Sequence, residues 1–138
     1  MYSKKMTYTD FGGTTRTETF YFNLSEAELM KMELGVNGGF AESLQRLVDS
    51  NNGPEIMKEF DRIILASYGE LSDDGRRFIK SDELSTAFSQ TQAYSDLFTE
   101  LSTNADAASE FVLGIVPANA ASQIRAQEEA KNLKVINA

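Results

Sequence analysis

The chain has no cysteine, no histidine and no tryptophan. Each absence removes a class of chemistry. Without Cys there is no disulfide framework, no thiol nucleophile and no zinc–thiolate site. Without His, the usual near-neutral general base and the commonest metal ligand are missing. Ser-His-Asp and Cys-His catalysis are excluded together. An enzyme built from this sequence has only carboxylates, Lys and Tyr to work with. Long apolar runs are lacking too. "RIILA" and "FVLGIVP" are core-sized, far below the roughly 18 residues needed to span a bilayer. The opening "MYSKKMTYTD" lacks the apolar core of a signal peptide. A soluble protein that stays where it is made is expected. Positive charge is in short supply, with 13 Lys and Arg against 21 Asp and Glu, a net charge of −8. That field repels phosphate backbones and anionic membrane surfaces, so neither nucleic acid nor membrane is an expected partner.

What is present fits one domain. The 138 residues are 41% apolar and 25% charged, enough for a core without staples. "KKMTYTD" and "TTRTETFYFNL" are rich in Thr, Tyr and Phe and alternate as strands do. Met6 and Tyr8 share one face, and Phe20, Phe22 and Leu24 share another. "DFGG" between them supplies Gly12 and Gly13 for a tight turn. A two-stranded hairpin is marginal alone and has to lie on the helices that follow.

Helix signals begin at "NLSEAELMKMEL". Ser25 and Glu28 form a capping box, with Leu24 and Leu29 as its hydrophobic staple. This helix is expected to reach about Leu34. "FAESLQRLVDS" places Phe40, Leu44, Leu47 and Val48 at helical spacing. "EIMKEFDRIILASYG" makes a third helix, its stripe on Ile56, Phe60, Ile63 and Ser67 and its C-cap at Gly69. "ELSDDGRRFIKSDEL" reads as a polar connector with a "DDG" turn. Asp82 and Glu83 then open a helix, Ser89 with Gln92 fits a capping box, and Tyr94, Leu97, Phe98 and Leu101 make a stripe. A short helix capped near Thr103 or Asn104 ends at Gly114 and Pro117. The expected fold is α+β and mainly α: an N-terminal antiparallel hairpin packed on four to six short helices. Residues 1–117 form the domain, and 118–138 a polar tail that is loose or ordered by a partner.

The chemical motifs are weak. "DFGG" is a turn, not the kinase tripeptide, because no Gly-rich loop or catalytic loop accompanies it. "NGG" and "NNGP" lack the Lys-Ser/Thr of a phosphate loop. Asp73, Asp74, Asp82 and Glu83 lack the ligand spacing of a calcium loop. No cofactor is implied. "GRRFIK" groups Arg76, Arg77, Phe78, Ile79 and Lys80. It either grips an acidic surface or phosphate, or closes salt bridges with Asp73, Asp74, Asp82 and Glu83. Phe88, Tyr94, Phe98 and Phe111 read as core or as an exposed groove, with Phe88 standing apart from the next helix if Ser89 caps it.

The order of these features resembles the small tail assembly chaperones of long-tailed bacteriophages and prophages. The likeness covers roughly residues 5–117 and is concentrated in "GRRFIKSDELSTAFSQTQAYSDLFTEL" and "NADAASEFVLGIVP". It implies a non-catalytic protein, encoded before the tape measure protein. It also implies that the protein holds that client in the cytoplasm of an infected or lysogenic host and helps recruit major tail tube subunits. A longer frameshifted form of the same protein is a further implied partner, and the hairpin edge and tail leave self-association open. Partner contacts are then expected at Arg76, Arg77, Phe78, Ile79, Lys80, Phe88, Tyr94 and Phe98. The rival readings are a minor tail or head–tail connection protein retained in the virion, and a small carboxylate enzyme or metal-binding protein.

Overall fold

A computed structural model describes residues 1–33, 53–122 and 124–126. The expected helix from Phe40 and the end of the chain from residue 127 lie outside the described residues. β1 (Tyr2–Thr9) and β2 (Thr15–Phe22) pair along their whole length, from Tyr2 opposite Phe22 to Thr9 opposite Thr15. Met6, Tyr8, Phe20 and Phe22 are buried, so the alternation selects one face for the core. Ser3, Lys5, Thr7, Thr9, Thr15, Thr17 and Thr19 line the other face and are exposed. Of the two turn glycines only Gly13 takes a positive φ, +87°.

α1 (Glu26–Glu33) starts as its sequence dictates. The Glu28 amide donates to Ser25 Oγ at 3.1 Å and the Ser25 amide to Glu28 Oε1 at 3.0 Å, a reciprocal capping box. The link before it is pinned from two sides. The Asn23 amide donates to the Ser67 carbonyl at 2.8 Å and the Leu24 amide to the Ile115 carbonyl at 2.7 Å. These bonds carry Leu24 fully into the core.

α2 (Gly53–Ser67) ends two residues before the expected cap. The connector that follows is not irregular. Tyr68–Leu71 forms β3 and Phe78–Ile79 forms β4, extending the hairpin to a four-stranded antiparallel sheet in the order β1-β2-β3-β4. Tertiary packing overrides the helical reading here. Tyr68 pairs with Phe22 across the strands and stacks on Phe88 at 4.2 Å between ring centroids. Gly69 serves close approach rather than capping. A Cβ there would lie 2.8 Å from both the Ile79 carbonyl oxygen and the Phe78 ring.

α3 (Asp82–Ser89), α4 (Gln92–Thr103) and α5 (Ala105–Ile115) each open on a hydroxyl or amide cap. Ser81, Thr91 and Asn104 accept from the amides of Leu84, Tyr94 and Ala107. Of the two expected candidates, Thr103 and Asn104, the cap of α5 is Asn104. Ser89 is not the cap before α4, because α3 runs through it and its hydroxyl donates to the Thr86 carbonyl at 2.6 Å. Thr91 is the first hydroxyl residue with extended backbone, so it takes the role. Gly114 does not end α5. Tyr2 packs against it so closely that a Cβ would lie 2.7 Å from Tyr2 Cδ2. The stop comes at Val116, held extended before Pro117. Residues 118–122 and 124–126 are helical, and Ala121 and Ile124 join the core. The described part of the expected tail is therefore packed on the domain.

The helices cover one sheet face: α4 and α5 lie against β1, and α3 against β3. The interior is aromatic. Phe22 is fully buried, with Phe111 at 5.4 Å, Phe88 at 5.8 Å and Tyr68 at 5.8 Å. Edge-on and tilted rings at these separations gain about 0.5–1.5 kcal/mol per pair beyond burial.

Candidate docking surface

The described residues contain no group of three or more carboxylates placed to hold a metal ion. A groove of about 550 Å³ lies between α2 and α3, lined by Leu65, Ala66, Lys80, Ser81, Asp82, Ser85, Thr86 and Ser89. Its lining holds one carboxylate, Asp82, where acid–base work by paired carboxylates needs two. For a contact surface the question is which side chains are free.

The "GRRFIK" cluster divides. Lys80 turns inward. Its amine donates to the Asn23 carbonyl at 2.6 Å, to the Ala66 carbonyl at 2.9 Å and to Glu28 Oε2 at 2.5 Å. One side chain thereby ties β4 to the start of α1 and the end of α2. Burial alone would raise the Glu28 carboxyl. The bonds from Lys80 and Ser25 outweigh it and hold the group below the usual carboxylate range. Lys80 is thus a clamp, committed to partners 52 and 57 positions away in sequence.

Arg76 and Arg77 do the opposite. Both are exposed at the β3–β4 turn, and neither guanidinium makes an ion pair or hydrogen bond among the described residues. The salt-bridge set with Asp73, Asp74, Asp82 and Glu83 does not form. Asp74 is engaged in its own turn, accepting from the Ser72 hydroxyl at 2.7 Å and the Arg76 amide at 3.0 Å. Those bonds, the Arg76 amide first, hold its carboxyl below the ordinary value. Phe78 and Ile79 are half-buried, and the Phe78 ring lies over Gly69 with the Lys80 amine 5.6 Å from its centre. Beside Phe78, its cross-strand neighbour Leu71 is 43% exposed.

The aromatics on the helical side are not on this surface. Phe88 is 3% exposed, which removes it from any exposed groove. Because Ser89 is no cap, Phe88 sits inside α3 and faces Phe20, Phe22 and Tyr68. Tyr94 and Phe98 are half-buried on α4 with ring centres 5.9 Å apart. The Tyr94 hydroxyl donates to Asp61 on α2. Burial first, then that bond, pushes the phenol well above its usual range. The structure thus gathers Arg76, Arg77, Phe78 and Ile79 on one hairpin and leaves Tyr94 and Phe98 in the other layer.

Leu71 and Phe11 are among the exposed apolar groups that sequence reasoning missed. Phe11 had a signal. An aromatic between Asp10 and two glycines sits at the apex of a hairpin, where no core can reach it.

A family model described as phage tail assembly chaperone matches residues 1–138, the whole chain. Among curated proteins and among solved structures, none matches.

Proposed function

Because the chain belongs to the phage tail assembly chaperone family, we propose that it binds the tape measure protein during tail assembly and helps recruit tail tube subunits around it. It does so without catalysis, in the cytoplasm of the infected or lysogenic bacterium. The observation that carries this reading is the β3–β4 hairpin. Two guanidiniums with no partner among the described residues, Arg76 and Arg77, stand beside the partly open Leu71, Phe78 and Ile79. Arg and aromatic side chains are the residue types that dominate contact energies. The remaining surface supports solubility through its net negative charge. Many copies on one long client gain by avidity, so each contact need be only about micromolar. A longer frameshifted form and further copies of the chain are additional partners in this reading.

The test is co-expression with the tape measure protein encoded beside it, followed by solubility and pull-down assays. The client should become soluble and co-purify. Phe78→Asp should weaken capture while the protein stays folded by circular dichroism. An insoluble, unbound client, with this protein abundant in purified virions, overturns the proposal in favour of a retained structural component.

A further inference from the structure

β1 is an edge strand. The sheet order β1-β2-β3-β4 gives it one neighbour among the described residues. Which of its backbone groups stay open follows from the ladder. The Asp10 amide donates to the Thr14 carbonyl at 2.8 Å, one step beyond the pair Thr9–Thr15. Opposed residues of an antiparallel pair alternate between bonded and non-bonded. Tyr2, Lys4, Met6 and Tyr8 therefore exchange bonds with β2, while Ser3, Lys5, Thr7 and Thr9 turn their amides and carbonyls outward. The far side of β2 agrees. The Asn23 amide donates to the Ser67 carbonyl, which sets the odd-numbered residues of β2 toward β3. Among the described residues no further backbone bond engages Ser3, Lys5, Thr7 or Thr9, and their side chains are exposed.

This edge lacks the usual devices that blunt one. β1 runs for eight residues in unbroken register, with no bulge and no proline. Its inward-facing charge, Lys4, is paired with Glu100 at 3.1 Å. Lys5 is the one charge on its exposed face. The other edge of the sheet is different in kind, because β4 has only two residues, Phe78 and Ile79.

We infer that β1 pairs antiparallel with β1 of a second copy, about a two-fold axis at Met6, joining two four-stranded sheets edge to edge. The open groups select this occupant. Ser3, Lys5, Thr7 and Thr9 are spaced symmetrically about Met6. In this register Ser3 meets Thr9 and Lys5 meets Thr7 of the second copy, and every outward amide and carbonyl finds a partner. Other registers fail. An axis at Lys5 sets two ammonium groups directly opposite each other, which is destabilising. An axis at Thr7 leaves Ser3 facing Phe11, beyond the strand. An axis between two residues sets each outward residue against one already bonded to β2. The pairing gives a site to the self-association included in the function proposed above, yet it needs no client.

The experiment is sedimentation equilibrium of the full chain alone, from about 1 μM to about 1 mM. A monomer–dimer equilibrium is expected. It should tighten as salt rises, because two copies of net charge −8 repel each other at low salt. Thr7→Pro removes an outward amide and no β1–β2 ladder bond. Dimerisation should then weaken at least about tenfold, with the circular dichroism spectrum retained. Cross-linking reads the register, and it is unambiguous in a chain without native cysteine. An equimolar mixture of Lys5→Cys and Thr7→Cys chains should form disulfide dimers under mild oxidation, since bonded opposed Cα atoms lie about 5.5 Å apart. A mixture of Lys5→Cys and Thr19→Cys chains should not, because Thr19 shares the face but lies on β2. A monomer at every concentration overturns the inference and leaves the proposed function standing. A dimer that is indifferent to Thr7→Pro and gives no mixed cross-link lies on another surface and overturns it too. A β1 edge protected from hydrogen exchange only when the tape measure protein is added assigns the edge to the client, with the same result.

Discussion

The two ends of the β1–β2 hairpin are built on opposite principles. At the end where Tyr2 pairs with Phe22, the strands are dry. Phe22 meets Tyr2, Tyr68, Phe88 and Phe111, with ring centroids between 5.4 and 6.3 Å. At the turn end β1 still buries Met6 and Tyr8, but the facing residues of β2 are wet and held by side-chain hydrogen bonds. The first end supplies stability, because apolar area removed from water is the dominant favourable term in folding. The second end supplies shape. Exposed polar contacts contribute little net energy each, yet together they select one loop geometry. An exposed apex can be held still without being buried.

Mutations can break this contrast, starting at the dry end. Phe22→Ala should cost about 4 kcal/mol, since it removes a ring with no exposed surface from the centre of the cluster. Urea denaturation should show the loss as a large fall in midpoint at unchanged slope. Lys80→Met should cost about 2 kcal/mol by deleting three charge-assisted bonds and leaving the half-buried Glu28 without its cation, held only by Ser25. The companion Glu28→Gln tests pH. The folded Glu28 carboxyl is depressed, so its contribution is present above the unfolded value of about 4.3 and is lost as pH falls through the folded one. Glu28→Gln should therefore flatten the acid side of the stability–pH curve and leave little pH dependence from this site.

Gly69→Ala sits between the two regimes. The added carbon would meet a backbone oxygen, which cannot rotate away, so β4 has to move. A loss of about 2 kcal/mol is expected, with hydrogen exchange rising first in Phe78–Ile79. At the wet end the effects shrink. Gly13→Ala should cost about 1 kcal/mol for the left-handed φ alone, because nothing lies within 4 Å of the new carbon. Phe11→Ser should change thermal stability by less than about 0.5 kcal/mol, since its ring is 78% exposed. A large loss at Phe11 would erase the contrast between the two ends.

The sequence set out the first hairpin, its inward face, the Ser25–Glu28 capping box and a cap at Thr103 or Asn104. All of these rest on neighbours within a few residues, where local rules apply. It missed β3 and β4. Two- and four-residue strands carry too little periodicity to read, and Tyr68 continues the helical pattern of α2. The arginine pair and Phe78 were visible as a cluster, but their fates were not. Whether a cation is free or committed depends on what folds beside it. Lys80 found Glu28, Asn23 and Ala66, while the Arg76 and Arg77 guanidiniums found no partner among the described residues. Phe88 lies in the core rather than on the surface because its helix runs through Ser89, the expected cap of the next helix.

By itself, then, the sequence determined the chemistry this protein does without, its charge, its alternating strands and most of its helix starts. Composition and near-neighbour hydrogen bonding suffice for those. Only the tertiary structure decided which aromatics are dry, which lysine is a clamp and which strand stands at the sheet edge. Those outcomes depend on contacts between residues far apart in the chain, and no local pattern encodes them.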